Sequence, residues 1–234
     1  MPSISTVLPA YNEEKNIAEA VSSVIEVMDS ITPDYEVIVV DDGSSDGTSW
    51  AVEDLMERYP KVRLIRHPVN RGYGGALRSG FEAARGGLIF FTSSDNQYDV
   101  AEIKRLLPLI EEADIVAGYR AQRQDPIIRR FFAWGWNTLV RLLFGYAARD
   151  IDCAFKLFRR EVLNRVPLAS MGAMIDTELL VGARKRGLRI REVAVSHFPR
   201  RAGRQTGARP DVIIKAFCDL WDFRSRLKEE LARE

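Results

Sequence analysis

The sequence predicts an α/β protein, a mainly parallel sheet flanked by helices, and three observations carry that expectation. Short apolar runs alternate with helix-period segments through the first half of the chain. Val37-Ile38-Val39-Val40 and Leu88-Ile89-Phe90-Phe91 are apolar on successive residues, so both faces of each strand must be covered. Each run then ends in polar or turn chemistry, and in doubly wound sheets ligands lie beyond the carboxyl ends of the strands.

Strands are expected at 4–8, 36–40, 62–65, 88–91 and 114–117, with helices at 16–28, 48–57, 75–84 and 101–110. After the second strand, Asp41-Asp42-Gly43-Ser44-Ser45-Asp46-Gly47-Thr48 reads as a turn, with Ser45 or Asp46 as helix cap and the glycines supplying positive φ. Two adjacent carboxylates exceed what that turn needs, and they suit hydrogen bonding to a base or ribose. Asn70-Arg71-Gly72-Tyr73-Gly74-Gly75 leads into a helix; its amides either face an anion or allow close helix–sheet packing. In Ser93-Ser94-Asp95-Asn96-Gln97, Asp99 is better placed to cap the following helix, which leaves Asp95 and Gln97 for a hard cation. A serine, Ser93, stands where a second carboxylate would be expected.

Beyond residue 119 the character changes. Residues 120–165 carry nine arginines, of which Arg159 and Arg160 read as surface charge. The stretch 127–148 mixes Phe131, Phe132, Trp134, Trp136, Leu139, Leu142, Leu143 and Phe144 with Arg129, Arg130 and Arg141. It reads either as an amphipathic core helix or as a helix in the membrane interface. A last helix at about 210–233 places Ile213, Ile214, Phe217, Leu220, Trp221 and Phe223 along one side.

The 234 residues suffice for one substantial core. With 34 basic and 33 acidic side chains, no global field points to nucleic acid. Cys153 and Cys218 are too few for a disulfide framework and lack the spacing of a zinc site, so a reduced compartment is expected. The opening residues lack the pattern of a signal peptide, and no apolar run approaches the roughly 18 residues of a spanning helix. The expectation is a cytoplasmic protein, soluble or peripheral to the membrane. His67 and His197 are too isolated for ligand or base roles.

In their order and spacing, Pro9-Ala10-Tyr11-Asn12-Glu13, Val40-Asp41-Asp42-Gly43-Ser44, Asn70-x-Gly72-x-Gly74 and Asp95-x-Gln97 resemble the family 2 glycosyltransferases of GT-A fold. The blocks Gly118-Tyr119-Arg120, Asp150-Ile151-Asp152-Cys153-Ala154-Phe155-Lys156 and His197-Phe198-Pro199-Arg200-Arg201-x-Gly203 are most similar to the dolichyl- or polyprenyl-phosphate sugar synthase branch. The resemblance implies a GT-A domain over 1–208, with an acceptor or membrane-interface segment at about 126–148, and a C-terminal amphipathic helix at 209–234. It implies that Pro9, Ala10, Tyr11, Asn12, Glu13, Asp41, Asp42, Gly72, Gly74 and Ser94 hold the nucleotide-sugar. Asp95 and Gln97 would hold Mg²⁺ or Mn²⁺, and Arg200 and Arg201 would belong to a loop over the donor diphosphate. Arg120, Arg129 and Asp150 would meet the acceptor, with Asp95, Arg120, Arg129 and Asp152 as the catalytic group. The chain departs from the pattern at Ser93, at Ala133, where a serine is expected, and at Thr206 and Gly207, where serine and lysine are usual.

The implied reaction is an inverting transfer from a UDP- or GDP-sugar to a polyprenyl phosphate at the membrane surface, with a membrane-protein partner or a second copy as further partners. An alcohol acceptor would need a general base, for which Asp152, Asp176 and Glu178 are candidates; a lipid phosphate is already ionised and needs cations instead. The alternatives are transfer to a soluble or glycan hydroxyl and, because of Ser93, a non-catalytic nucleotide-sugar-binding protein.

Overall fold

The computed structural model of the protein describes residues 3–121, 127–200 and 210–232, with backbone only at 127–131 and 210–215. The strands are β1 (Ile4–Ala10), β2 (Tyr35–Asp41), β3 (Val62–Arg66), β4 (Leu88–Thr92), β5 (Ile115–Arg120), β6 (Phe155–Arg159) and β7 (Ile190–Val195). The helices are α1 (Ile17–Asp29), α2 (Thr48–Arg58), α3 (Tyr73–Ala83), α4 (Ile103–Leu106), α5 (Ile127–Phe144), α6 (Val162–Arg165), α7 (Met174–Lys185) and α8 (Pro210–Leu231). One seven-stranded sheet runs β3-β2-β1-β4-β6-β5-β7, and only β6 is antiparallel to its neighbours.

Alternation along β2 shows how the sequence builds two core layers. Val37 and Val39 join Val21, Val24 and Met28 of α1 on one face, while Ile38 and Val40 join Leu77 and Phe81 of α3 on the other. Chain order reverses across the sheet between β1 and β4: β2 and β3 lie to one side, and β4 with the later strands to the other. That is the topological switch point, where strand ends diverge and leave a crevice. Because β6 is antiparallel, its beginning lies at the carboxyl edge, so the segment 150–154 is delivered to the same edge as the ends of β4 and β5.

Three expectations are corrected. The helix at 101–110 is broken into a 3-10 turn at Val100–Glu102, the short α4, and a second 3-10 turn at Pro108–Glu111, since Pro108 lacks the N–H that would continue the ladder. Asp99 does cap the first turn, accepting from the Ala101 amide at 2.9 Å. Arg159 is not plain surface charge: its guanidinium donates to the carbonyls of Ala113 and Ile110, which tethers the irregular 108–113 segment to β6. On α8, Leu220, Phe223 and Leu227 enter the core while Phe217 and Trp221 face outward, so the expected single apolar side is two stripes. The side chains of Ile213 and Ile214 lie outside the described set.

The amphipathic core reading of the 127–148 stretch holds for part of α5. Val140 and Phe144 are buried, with Trp136, Leu139 and Leu143 packed against the same cluster, whereas Phe132, Trp134 and Leu142 are exposed. Trp136 meets Phe217 of α8 edge-on at 5.9 Å, so the two helices share a seam. No helix among the described residues is long and apolar enough to cross a membrane.

Candidate active site

The loops after β1, β2 and β4 are stitched together by side chains that replace a ladder the diverging strands cannot supply. Ser94 donates to the Pro9 carbonyl at 2.8 Å, tying the end of β4 to β1. Asn12 donates its amide to Ser44 Oγ at 2.9 Å and accepts from the Ser45 amide at 2.8 Å, while the Glu13 amide donates to Thr48 Oγ1 at 2.8 Å. Asn12 and Asn96 are the non-glycine residues with positive φ among the described residues, at 56° and 58°, one in each of the two diverging loops.

The paired carboxylates after β2 work inward. Asp41 accepts from the Ser44 amide at 3.0 Å and from Ser49 Oγ. Asp42 accepts from the amides of Arg71 and Gly72 at 2.9 and 2.8 Å and contacts His67 Nδ1 at 2.6 Å. His67, dismissed on sequence as isolated, is therefore part of this frame and also reaches Ser79 Oγ at 2.9 Å through Nε2. Gly72 has φ +88°, and a side chain at Gly74 would meet the carbonyls of Ser170 and Gly172. The glycines thus serve the close approach of 72–75 to the 170–172 loop, while Gly43, Ser44, Arg66, His67 and Pro68 line an open cleft of about 430 Å³. Tyr11, exposed, stands at the mouth of the β1 loop.

At the switch point two carboxylates converge on one cation. Arg200 Nη1 lies 3.3 Å from Asp95 Oδ2, and Arg200 Nη2 hydrogen-bonds Glu13 Oε1. Asp95 Oδ1 accepts from Ser93 Oγ at 2.6 Å and from the Gln97 amide at 3.3 Å. Ser93 thus donates to Asp95. Glu13 also accepts from Asn16 Nδ2 at 2.6 Å; burial raises its carboxyl above the usual range, against the lowering by Asn16 and Arg200. Gln97 and Phe198 exchange two hydrogen bonds, at 2.8 and 3.0 Å, which lay the 197–200 segment over the site. Among the described residues no group of three or more His, Cys, Asp or Glu side chains is placed to hold a metal ion; Asp95 and Glu13 present carboxylate oxygens of the kind that hard divalent cations take in ones and twos beside substrate phosphates.

A second cluster lies along β5 and β6. Asp150 grips Arg120 in a two-pronged ion pair, 2.7 Å to Nε and 2.7 Å to Nη2. Asp152 is pushed up to about 6 by burial and by the nearby Asp176 and Asp150 carboxylates, against the lowering effect of Arg120 and Lys156. Lys156, fully buried in β6, is 2.6 Å from Asp176 and 2.5 Å from the Cys153 carbonyl. Burial pushes the Cys153 thiol up to about 12, which makes it inert at neutral pH.

Asp176 and Glu178 are corrected as candidate bases. Asp176 is engaged by Lys156, and Glu178 accepts from the amides of Ala169 and Ser170 at 2.9 Å each and pairs with Arg226 of α8. Asp152 is the candidate base left at the carboxyl edge. Lys156 was missed, though a lysine inside the apolar run 155–158 signals a buried counter-charge. Arg129 lies in the first turn of α5 with backbone described only, and Arg201, Thr206 and Gly207 lie outside the described residues.

A sheet of this order with its crevice at the β1–β4 divergence defines a nucleotide-sugar-transferase architecture of GT-A type. Residues 5–166 match the description "Glycosyl transferase family 2", and the chain belongs to that family. It is similar to a dolichyl-phosphate beta-glucosyltransferase of Trichomonas vaginalis, 33% identical over 209 residues, covering 82% of this chain and 64% of that protein. It is also similar to a dodecaprenyl-phosphate galacturonate synthase of Rhizobium johnstonii, 31% identical over 208 residues, covering 86% of this chain and 60% of that protein. The chain thus spans less than two thirds of the length of these relatives. Among solved structures, glucosyl-3-phosphoglycerate synthase from Mycobacterium tuberculosis, in complex with Mn²⁺, UDP-glucose and phosphoglyceric acid, aligns with a TM-score of 0.65. That pair is 26% identical, over 85% of this chain and 72% of that one.

Proposed function

We propose that the protein transfers a sugar, with inversion, from a nucleoside-diphosphate-sugar to a polyprenyl phosphate at a membrane surface. The observation that carries the donor half is the convergence of Asp95, Glu13 and Arg200 at the switch point of a family 2 chain. The relatives named for dolichyl and dodecaprenyl phosphate support the acceptor half, as do the aromatic side chains that α5 and α8 expose.

In this reading the framed loops at 9–13 and 41–44 cradle the nucleoside, with the cleft beside Ser44 and His67 open to it. Asp95 and Gln97 hold Mg²⁺ or Mn²⁺, which when bound offsets the negative charge gathering on the departing diphosphate. Arg200 is close enough to Asp95 to serve the same oxygens. An acceptor phosphate oxygen forms the new bond to the anomeric carbon as the bond to the diphosphate breaks, and no proton has to move. Arg120, fixed by Asp150, offers a cation already oriented at the acceptor side.

Purified protein with labelled UDP- and GDP-sugars and polyprenyl phosphate in anionic vesicles should give an organic-extractable sugar lipid, and Asp95→Ala should abolish it. No lipid-linked product from any common donor overturns the acceptor assignment, and equal rates in Asp95→Ala overturn the cation site. One observation favours a hydroxyl acceptor: Asp152, held at about 6, is poised to take a proton near neutral pH. Transfer to a soluble alcohol that Asp152→Asn eliminates would establish that second reading.

A further inference from the structure

The cation site has a carboxylate too few on its own strand, because Ser93 supplies only a hydroxyl, and that hydroxyl donates to Asp95 Oδ1 at 2.6 Å. A hydroxyl committed as donor leaves Asp95 Oδ2 as the oxygen turned toward the crevice, and Arg200 meets that oxygen. The other nitrogen of the same guanidinium meets Glu13 Oε1. Glu13 comes from the loop after β1, the neighbour of β4 across the switch point, so the two carboxylates face one another across the Arg200 guanidinium. Both are buried, and the positive charge between them offsets the repulsion of two buried carboxylates.

We propose that Glu13 is the second carboxylate of the cation site, filling the role left open by Ser93, and that Arg200 is the protein's own cation there until a metal displaces it. This rests on the donor reading above. Asn16 Nδ2, at 2.6 Å from Glu13 Oε2, anchors one oxygen of Glu13 and leaves Oε1 directed at the site. The exchange is local: Phe198 is held to Gln97 by two hydrogen bonds, so Arg200 can leave the carboxylates for the diphosphate while the segment behind it stays in place. Glu13 and Asp95 would then together hold the divalent ion, which takes one or two carboxylates beside substrate phosphates.

The test is binding of Mn²⁺ alone, followed by electron paramagnetic resonance without any donor, in wild type, Glu13→Gln, Arg200→Ala, the double variant of these two and Asp95→Asn, each checked for folding by circular dichroism. Removing the internal cation should tighten Mn²⁺ about tenfold in Arg200→Ala, and removing the second carboxylate should weaken it about tenfold in Glu13→Gln. Loss of the Arg200 charge beside Asp95 tightens Mn²⁺ in any case, so Glu13→Gln decides the role of Glu13: a carboxylate that only pairs with Arg200 leaves Mn²⁺ affinity unchanged when it is neutralised in the Arg200→Ala background. Unaltered affinity on adding Glu13→Gln to Arg200→Ala, with binding lost in Asp95→Asn, overturns this inference and leaves the donor reading standing. Affinity retained in Asp95→Asn overturns both.

Discussion

Replacing Lys156 by methionine tests whether the second cluster is a strut under the site or a dispensable ion pair. The ammonium sits 2.6 Å from Asp176 Oδ1 and 2.5 Å from the Cys153 carbonyl, and both charged side chains are almost wholly buried, at 0% and 4% exposure. Methionine fills a similar volume, so the change isolates the charge. Burial holds the Asp176 carboxyl above the usual range even with the ammonium beside it, so without Lys156 it is left with the Tyr73 hydrogen bond and the field of Arg120, or takes up a proton. Breaking a buried pair on one side costs about 3–5 kcal/mol, a large share of the roughly 5–15 kcal/mol that holds a domain together. Replacing both partners, Lys156→Met with Asp176→Leu, removes the orphaned charge and should regain most of that loss. Urea unfolding of the four proteins closes a double-mutant cycle. The single variant should also lose stability as pH rises, because a carboxyl titrating higher folded than unfolded favours the native state only while protonated. A loss below about 1 kcal/mol in Lys156→Met, or a double variant worse than either single, would refute the strut.

Three further outcomes follow from the same geometry. Burial and the neighbouring carboxylates push Asp152 up to about 6 from 3.8, so its penalty is absent well below pH 3.8, grows as pH rises from there, and is complete above 6; Asp152→Asn should gain on wild type by roughly 2 kcal/mol between pH 4 and 7 in denaturant titrations, and a gap opening the other way contradicts the assignment. Gly74→Ala places a methyl 2.6 Å from two backbone carbonyls, of Ser170 and Gly172, and should cost about 1–3 kcal/mol; an unchanged melting temperature would show that the 170–172 loop yields freely. Glu178→Ala leaves the Ala169 and Ser170 amides without their acceptor and Arg226 with Glu230 as its carboxylate partner, so it should destabilise by about 3 kcal/mol and speed hydrogen exchange at 169 and 170; protection equal to wild type there would rule out the anchoring role.

The first half of the chain was legible because its signals are local. Successive apolar residues at 37–40 and 88–91 announce doubly covered strands, and each of the five expected strands is present within three residues at either end. The second half was not, because its elements depend on tertiary partners. β6 reads Phe-Lys-Leu-Phe-Arg, a pattern that makes sense only once Asp176 is seen against Lys156. β7 has charged residues at Arg191 and Glu192 and is recognisable as a strand through its pairing with β5. In the site, the acidic ends at 41–42 and 95 were visible, but which way each carboxylate points was not. Asp41 and Asp42 frame their own loops, Ser93 donates where a ligand was expected, and His67 gains its meaning from Asp42, 25 residues earlier.

Glu13 and Asp95 leave the sheet from β1 and β4, neighbouring strands whose axes are set about 4.8 Å apart by their hydrogen bonds. The ladder between them ends at Val7 and Phe91, and each chain then turns at an asparagine of positive φ, Asn12 on one side and Asn96 on the other. Beyond that point the spacing of the two carboxylates is set by the side-chain ties of the loops, Ser94 to Pro9 and Asn12 to Ser44. The sheet fixes where the two loops begin, and a handful of hydroxyls and one asparagine fix how far apart they end.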